Sequence, residues 1–208
     1  MKIIDISWPL SPDMTGYKDK KEVVFSPTRF YETDHVRESK IMMGCHAGTH
    51  VDAPSHMVSD GETIDQTNIE KLVGSALVVD LSHVDEVITP LDLEPFPISK
   101  NSILILKTSN SELVETAPFE SKFVYLSKEA AEFCASKQVK AIGIDYLGIE
   151  RGQKGHPSHK ILMKAGITIV EGLRCADVSM GYYFFVCLPL RIEGLEASPA
   201  RAILIQDI

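Results

Sequence analysis

The sequence is short of cysteine, of excess cationic charge and of long apolar runs, and each shortage removes a class of protein. Its four cysteines in 208 residues, at positions 45, 134, 175 and 187, form no CxxC pair and no dense framework. That argues against a disulfide scaffold and for reduced, mostly buried thiols. Lysine and arginine number 21 against 29 acidic residues, a formal charge of -8. The basic residues are scattered, so no patch exists to hold a phosphate backbone and nucleic acid is not an expected partner. The longest apolar stretch, around Tyr182 to Leu190, is about half the ~20 residues that a membrane span needs. The opening MKIIDISWPL has an early Asp5 and no small-residue cleavage site, unlike a secretory leader. A cytoplasmic protein without membrane contact is expected. With 44% hydrophobic content the chain can bury one good core, so residues 1–208 are read as a single domain.

What the chain does have is concentrated between Gly44 and His56, GCHAGTHVDAPSH. His46, His50, Asp52 and His56 all fall at even positions, and in an extended strand such positions share one face. A helix fits less well. Asp52 would lie roughly 200 degrees around from His50 at about 100 degrees per residue; Gly48 and Pro54 are poor helix interiors, and Thr49 and Val51 favour strand. A strand followed by a turn at Pro54 is therefore predicted. Imidazoles with a carboxylate suit zinc, or manganese where more oxygen ligands join. Left without a metal or a reaction, such a group would bury several unpaired polar atoms at about 1–3 kcal/mol each. Cys45 would point to the opposite face, into core packing.

Along the rest of the chain, strands are predicted at Lys2 to Ser7, Val23 to Tyr31, Val36 to Met43, Ala76 to Leu81, Ser102 to Lys107, Val139 to Ile144, Tyr182 to Pro189 and Arg201 to Gln206. Asn68 reads as the cap of a short helix from Ile69 to Val73 closed by Gly74, Thr89-Pro90 opens a brief turn, and Ser127 caps a helix through Cys134. Ser109 to Lys122 reads as a loop near the site. Pro157 suits the first turn of a helix that Gly166 ends, followed by a buried strand Ile167 to Val170 that delivers Glu171 at its carboxyl end. Sites in α/β sheets gather at such ends, so His159 and Glu171 can reach one cleft, with His156 as a rival to His159. Asp145 also ends a strand, where a structural role toward nearby amides is at least as good a reading as catalysis. The tally points to an α/β protein with mixed sheets and flanking helices.

The pattern His46-x-Gly48-Thr49-His50-x-Asp52-x-Pro54-x-His56 resembles the signature of the cyclase family of metal-dependent hydrolases, which includes bacterial kynurenine formamidase and isatin hydrolase. The likeness extends through Asp5-Ile6-Ser7, Gly143-Ile144-Asp145, Leu188-Pro189-Leu190, Gly194-Leu195 and Ser198-Pro199-Ala200-Arg201-Ala202. It implies a swivelling β/β/α fold, usually as a homodimer or higher homo-oligomer. It also implies a ligand set for one or two Zn2+ ions, with Mn2+ as an option: His46, His50 and Asp52 at one position, and Asp52, Glu171 and His159 at the other. The formamidases have a His and, twelve residues on, a Glu, the spacing of His159 and Glu171. His56 is by resemblance the general acid/base, and Tyr17 takes the place of an aromatic that contacts the substrate ring. The implied reaction is hydrolysis of an aryl formamide such as N-formylkynurenine to kynurenine and formate, a step of tryptophan degradation. A small cyclic amide such as isatin, or another small amide or ester, is the alternative substrate, and a non-catalytic metal-binding protein is a third reading. Lys18-Asp19-Lys20 departs from the family's usual Pro-Gly-Asp-like segment, which leaves the substrate more open than the chemistry.

Overall fold

A computed structural model describes residues 1–206. In chain order its strands and helices are β1 (Lys2–Asp5), β2 (Val24–Arg29), α1 (Tyr31–Asp34), β3 (Glu38–Met42), β4 (His50–Asp52), β5 (Val73–Asp80), β6 (Val87–Ile88), α2 (Pro90–Leu93), β7 (Ile103–Lys107), β8 (Tyr125–Leu126), α3 (Lys128–Ser136), β9 (Ala141–Ile144), α4 (Pro157–Lys164), β10 (Thr168–Glu171), β11 (Gly181–Pro189) and β12 (Ala197–Gln206). Eight strands form one sheet in the order β1-β12-β11-β5-β7-β9-β10-β4, and β4 pairs back onto β12. The sheet thereby closes on itself as a barrel, with β1 laid along β12 beyond the seam. Strands β5, β7, β9 and β10 run parallel to their neighbours in that series, and the pairs that complete the ring are antiparallel.

The parallel strands are apolar on both faces because both are covered, and Ile103 to Leu106 of β7 are all fully buried. Val78, Ile105, Val170, Phe185 and Leu204 fill the barrel interior. Leu77, Leu104 and Ile142 on the outer face pack beneath Ala130 and Cys134 of α3 and Leu162 of α4. The Ser127 hydroxyl accepts the Ala130 N–H at 3.0 Å and caps α3. Pro157 opens α4, and Gly166, at φ +73°, ends it with Ile167 N–H donating back to Leu162 O at 2.9 Å. These features set where α4 begins, and so where His159 lies.

Some expectations fail in instructive ways. Asn68 caps only a 3-10 turn, Ile69–Leu72, and Gly74 lies inside β5 instead of closing a helix, because pairing with β11 claims the backbone from Val73 onward. The strands β2 and β3 pair with each other alone and stand off the barrel as a ribbon. No helix among the described residues is long and apolar enough to cross a membrane.

Candidate metal centre

The seam of the barrel builds the site. In β4, His50 stands opposite Glu171 of β10 on one side and Pro199 of β12 on the other, with Asp52 two residues on. Directly opposed side chains of an antiparallel pair share a face at about 4.5–5.5 Å, so the register alone brings His50 and Glu171 together. The predicted strand over the whole motif is not found. Gly48 turns at φ +64° and ends it, so residues 44–49 form a loop, β4 keeps only His50–Asp52, and Pro54–His56 is a 3-10 turn. The loop is fastened by Thr49, whose hydroxyl donates to Gly172 O at 2.6 Å and accepts from Trp8 N–H at 2.7 Å. A Cβ on Gly172 would sit 2.2 Å from Gly48 O, so this close approach requires glycine. His46 and His56 therefore converge by way of loop and turn, not by strand alternation. Without that alternation Cys45 is partly exposed, not packed in the core, whereas the other three thiols are buried and all four are free.

Asp52 is the hub. His46 Nδ1 lies 3.1 Å and His50 Nε2 3.5 Å from Asp52 Oδ1, while His159 Nε2 lies 3.7 Å from Asp52 Oδ2. Glu171 Oε1 is 3.2 Å from His159 Nε2, and its Oε2 is 3.4 Å from His50 Nε2. His50 Nδ1–H donates to Gly48 O at 2.9 Å, which turns Nε2 inward. His159 Nδ1 faces Glu150 Oε2 at 2.6 Å, which turns its Nε2 inward too. Glu150 also accepts the His159 N–H at 3.1 Å. The sequence reading missed Glu150; the available signal was a lone acid closing the apolar run Tyr146-Leu147-Gly148-Ile149 just past the end of β9. His156 is exposed, with its ring 6.2 Å from that of His159, and approaches the centre only beside His159 and Glu150. Of the two, His159 takes the place between Asp52 and Glu171.

Electrostatics describe a strained cluster of opposite charges. Burial disfavours a charged His50, but its contact with Glu171 and the Asp52 charge outweigh burial and lift its pKa to about 9. His159 behaves likewise, lifted against burial to about 10 by Glu150 and Glu171. Burial also opposes a charged Glu171, yet the two imidazoles hold its carboxyl well below the usual range. His56 is the exception: burial lowers its pKa, which leaves it neutral and able to take a proton. Its ring lies 4.3 Å from that of His46 and 6.0 Å from that of His159.

A divalent cation fits this donor set. His50 Nε2 and both Asp52 oxygens are buried without a hydrogen-bond partner, a costly state unless something else binds them. His50, Asp52 and Glu171 offer donor atoms within 4.8 Å of one another, and so do His46, Asp52 and His56. Asp52 belongs to both groups, and a carboxylate has the two oxygens needed to serve two ions. Beside the centre, Tyr17, Thr15, Glu22, His46, Ala47 and Leu147 line a pocket. The Tyr17 ring meets Phe119 edge-on at 4.9 Å, and Phe119 stacks on Tyr146 at 5.7 Å, so a residue of the predicted loop packs against Tyr17. Burial first, then the Glu171 and Glu150 charges, raise the Tyr17 pKa. Asp145 stays outside the centre, accepting from the backbone and hydroxyl of both Thr108 and Ser111 at 2.6–3.1 Å.

A closed α/β barrel with a buried histidine and carboxylate cluster at its seam is thus the class of protein in hand. Residues 4–151 match the family model described as "Putative cyclase", and the chain belongs to that cyclase family. It is 32% identical over 217 residues to "Cyclase-like protein 3" of Oryza sativa subsp. japonica, covering 99% of this chain and 80% of that protein. It is 31% identical over 206 residues to the kynurenine formamidase of Bacillus cereus, covering 97% of this chain and 96% of the relative. Among solved structures, a potential metal-dependent hydrolase with cyclase activity superposes with a TM-score of 0.89 at 40% identity, over 100% of this chain and 99% of the other. Isatin hydrolase A from Ralstonia solanacearum shares the fold, with a TM-score of 0.86 at 22% identity over 99% and 92% of the two chains.

Proposed function

We propose that residues 1–208 form a single metal-dependent amidohydrolase domain that hydrolyses N-formylkynurenine to kynurenine and formate. The observation that carries the chemistry is the set of inward, unpartnered donors around Asp52. The 31% identity with a kynurenine formamidase over nearly the whole chain supports the substrate. His46, His50 and Asp52 would hold one cation, and Asp52, Glu171 and His159 a second, with zinc favoured by the imidazole share and manganese admitted by the carboxylates. When bound, such ions supply Lewis acidity and bring the pKa of water toward about 7.

The chain's own groups do the rest. Gly48 O and Glu150 orient the two buried imidazoles, which spares the site reorganisation during reaction. His56, neutral because burial lowers its pKa, takes a proton at a ring nitrogen and returns it to the departing amine. Tyr17, held edge-on against Phe119, would offer its aromatic ring to an aryl group of the substrate. The protein's free thiols suit a reducing cytoplasm, and the working unit would be a homodimer or higher homo-oligomer, as the family resemblance implies. Initial rates on N-formylkynurenine and on isatin, measured side by side on the metal-loaded enzyme, test the substrate. A kcat/KM of about 10⁴ M⁻¹s⁻¹ or more for the formamide is expected; turnover of isatin alone would overturn the substrate and leave the hydrolytic chemistry.

A further inference from the structure

Two opposite charges share the wall of the pocket beside the metal centre, and neither is paired within the chain. Tyr17, Lys20, Lys21, Glu22 and His46 all line that pocket, so charged side chains and a residue of the metal centre face the same space. The Lys21 ammonium donates to the backbone carbonyls of Asp13 at 3.3 Å and Met14 at 3.5 Å. Those neutral acceptors fix the position of the charge without compensating it, and an ammonium has a third donor to give. The Glu22 carboxylate lies instead against Gly44, where a Cβ would come within 2.8 Å of its Oε2. Lys20, Lys21 and Glu22 join no ion pair among the described residues. Neighbours in sequence and opposite in sign, Lys21 and Glu22 are thus held on separate anchors.

The segment reaches this place through a costly turn. Lys18 and Asp19 both lie in the left-handed region, at φ 54° and 60°, which is unfavourable for any residue with a Cβ. Asp19 Oδ1 holds the turn by accepting the Phe119 N–H at 2.8 Å, and Lys20 N–H donates back to Tyr17 O at 3.3 Å. Strain beside a site is kept for what it positions; here that is Tyr17 before the turn and Lys20 to Glu22 after it. Space narrows the choice of ligand further. The pocket holds about 10 Å³ of free room, enough for one water-sized group. A ring stays at the mouth, and the charged end of a chain enters.

We infer that Lys21 and Glu22 form a subsite for the zwitterionic head of an α-amino acid, Lys21 taking its carboxylate and Glu22 its ammonium. The centre thereby selects amide substrates that carry a free amino-acid head over neutral ones. This rests on the hydrolytic reading of the centre given above and adds the recognition that the metal ligands cannot supply. Carboxylate and ammonium on a single carbon match two opposite charges on adjacent residues. A simple anion would meet Glu22 and a simple cation Lys21, each a like-charge contact that disfavours it. A neutral lactam would engage neither. The whole chain agrees: at net charge -8 it repels free anions, whereas a zwitterion has no net charge to be turned away. Lys20, exposed on the same wall, reinforces the positive side.

Isothermal titration calorimetry of the metal-loaded full chain with kynurenine, with its decarboxylated amine and with its deaminated acid tests this. All three ligands keep the aryl ketone and carry no formamide, so binding is read without turnover. The parent should bind kynurenine about fivefold more tightly than either truncated ligand, the upper range for an ion pair open to solvent. Lys21→Met should lose the advantage over the amine, and Lys21→Arg should keep it. Glu22→Gln should lose only the advantage over the acid. Circular dichroism checks folding, and Glu22→Gln, which breaks no ion pair of the chain, decides the matter even where Lys21→Met loosens its loop. Equal binding of the three ligands by the parent would overturn the subsite. An advantage over the amine that survives in Lys21→Met would put the carboxylate on the metal and overturn it too. Turnover of N-formylkynurenine is measured separately on the same preparations. A parent that shows the preference without turnover sinks the hydrolytic reading and leaves the subsite; an active parent without the preference sinks the subsite alone.

Discussion

Replacing Glu150 with glutamine removes one negative charge from behind His159 and changes little else. The Glu150 Oε2 atom faces His159 Nδ1 at 2.6 Å and accepts the His159 N–H at 3.1 Å, while Oε1 is buried without a partner. A glutamine that sets its carbonyl oxygen in the Oε2 position keeps both contacts, so the imidazole stays oriented. What is lost is the charge that makes Nε2 a stronger ligand. Changes behind a metal-bound histidine typically cost 10–100-fold in metal affinity, or about 1.4–2.7 kcal/mol. Competition between Glu150→Gln and a chromophoric chelator for Zn2+ at fixed pH reads this directly, with near-ultraviolet circular dichroism as a check on folding. Glu150→Ala, which also strands the His159 N–H, should bind more weakly still. A folded Glu150→Gln protein that holds zinc within about threefold of the parent lies outside that range and would refute the idea that Glu150 tunes the centre.

Three further outcomes follow from the same geometry. His56→Ala should keep its metal and lose about 10²–10⁴ in kcat; metal loss by elemental analysis would make His56 a ligand beside His46 and Asp52. Glu171→Ala should release at least one metal equivalent, and retention of the parent's content would contradict a two-ion centre. Asp145 supplies a pH test away from the metal. Burial raises its pKa from 3.8 to about 6 despite its four donors, so the folded state holds the proton more tightly than the unfolded chain. Its ionisation therefore costs stability above pH 6, and most of that cost, roughly 2 kcal/mol, is regained as pH falls to 4. Urea melts of the parent minus those of Asp145→Asn should show the parent gaining by that amount between pH 7 and pH 4; a constant difference would count against it.

The motif was legible because its ligand types lie within a few residues of each other, where composition outweighs exact backbone path. The even spacing suggested one strand face, and the loop at Gly48 breaks that strand, yet His46 still reaches Asp52 because a glycine turn and a Thr49 clamp replace strand geometry. His159 and Glu171 were readable from local punctuation: Pro157 opens the helix, Gly166 ends it and an apolar strand leads to the acid. Barrel closure was not readable. It rests on pairing such as His50 with Pro199, and nothing local in either segment specifies a partner so distant in sequence. Glu150 escaped for the same reason, since its importance lies in meeting His159 across a bend of the chain. The ribbon's two strands were visible as strands, but whether they join the main sheet depends on edges that sequence does not display.

The central claim is that the cluster around Asp52 is a catalytic metal centre for amide hydrolysis. The most direct measurement is N-formylkynurenine hydrolysis, followed by the absorbance of kynurenine, after chelation and again after stoichiometric zinc or manganese is restored. Activity that vanishes with the metal, returns with it, and is absent from metal-loaded His56→Ala is the result the account predicts. Equal turnover by the chelated and restored enzymes, with metal removal verified, would contradict it.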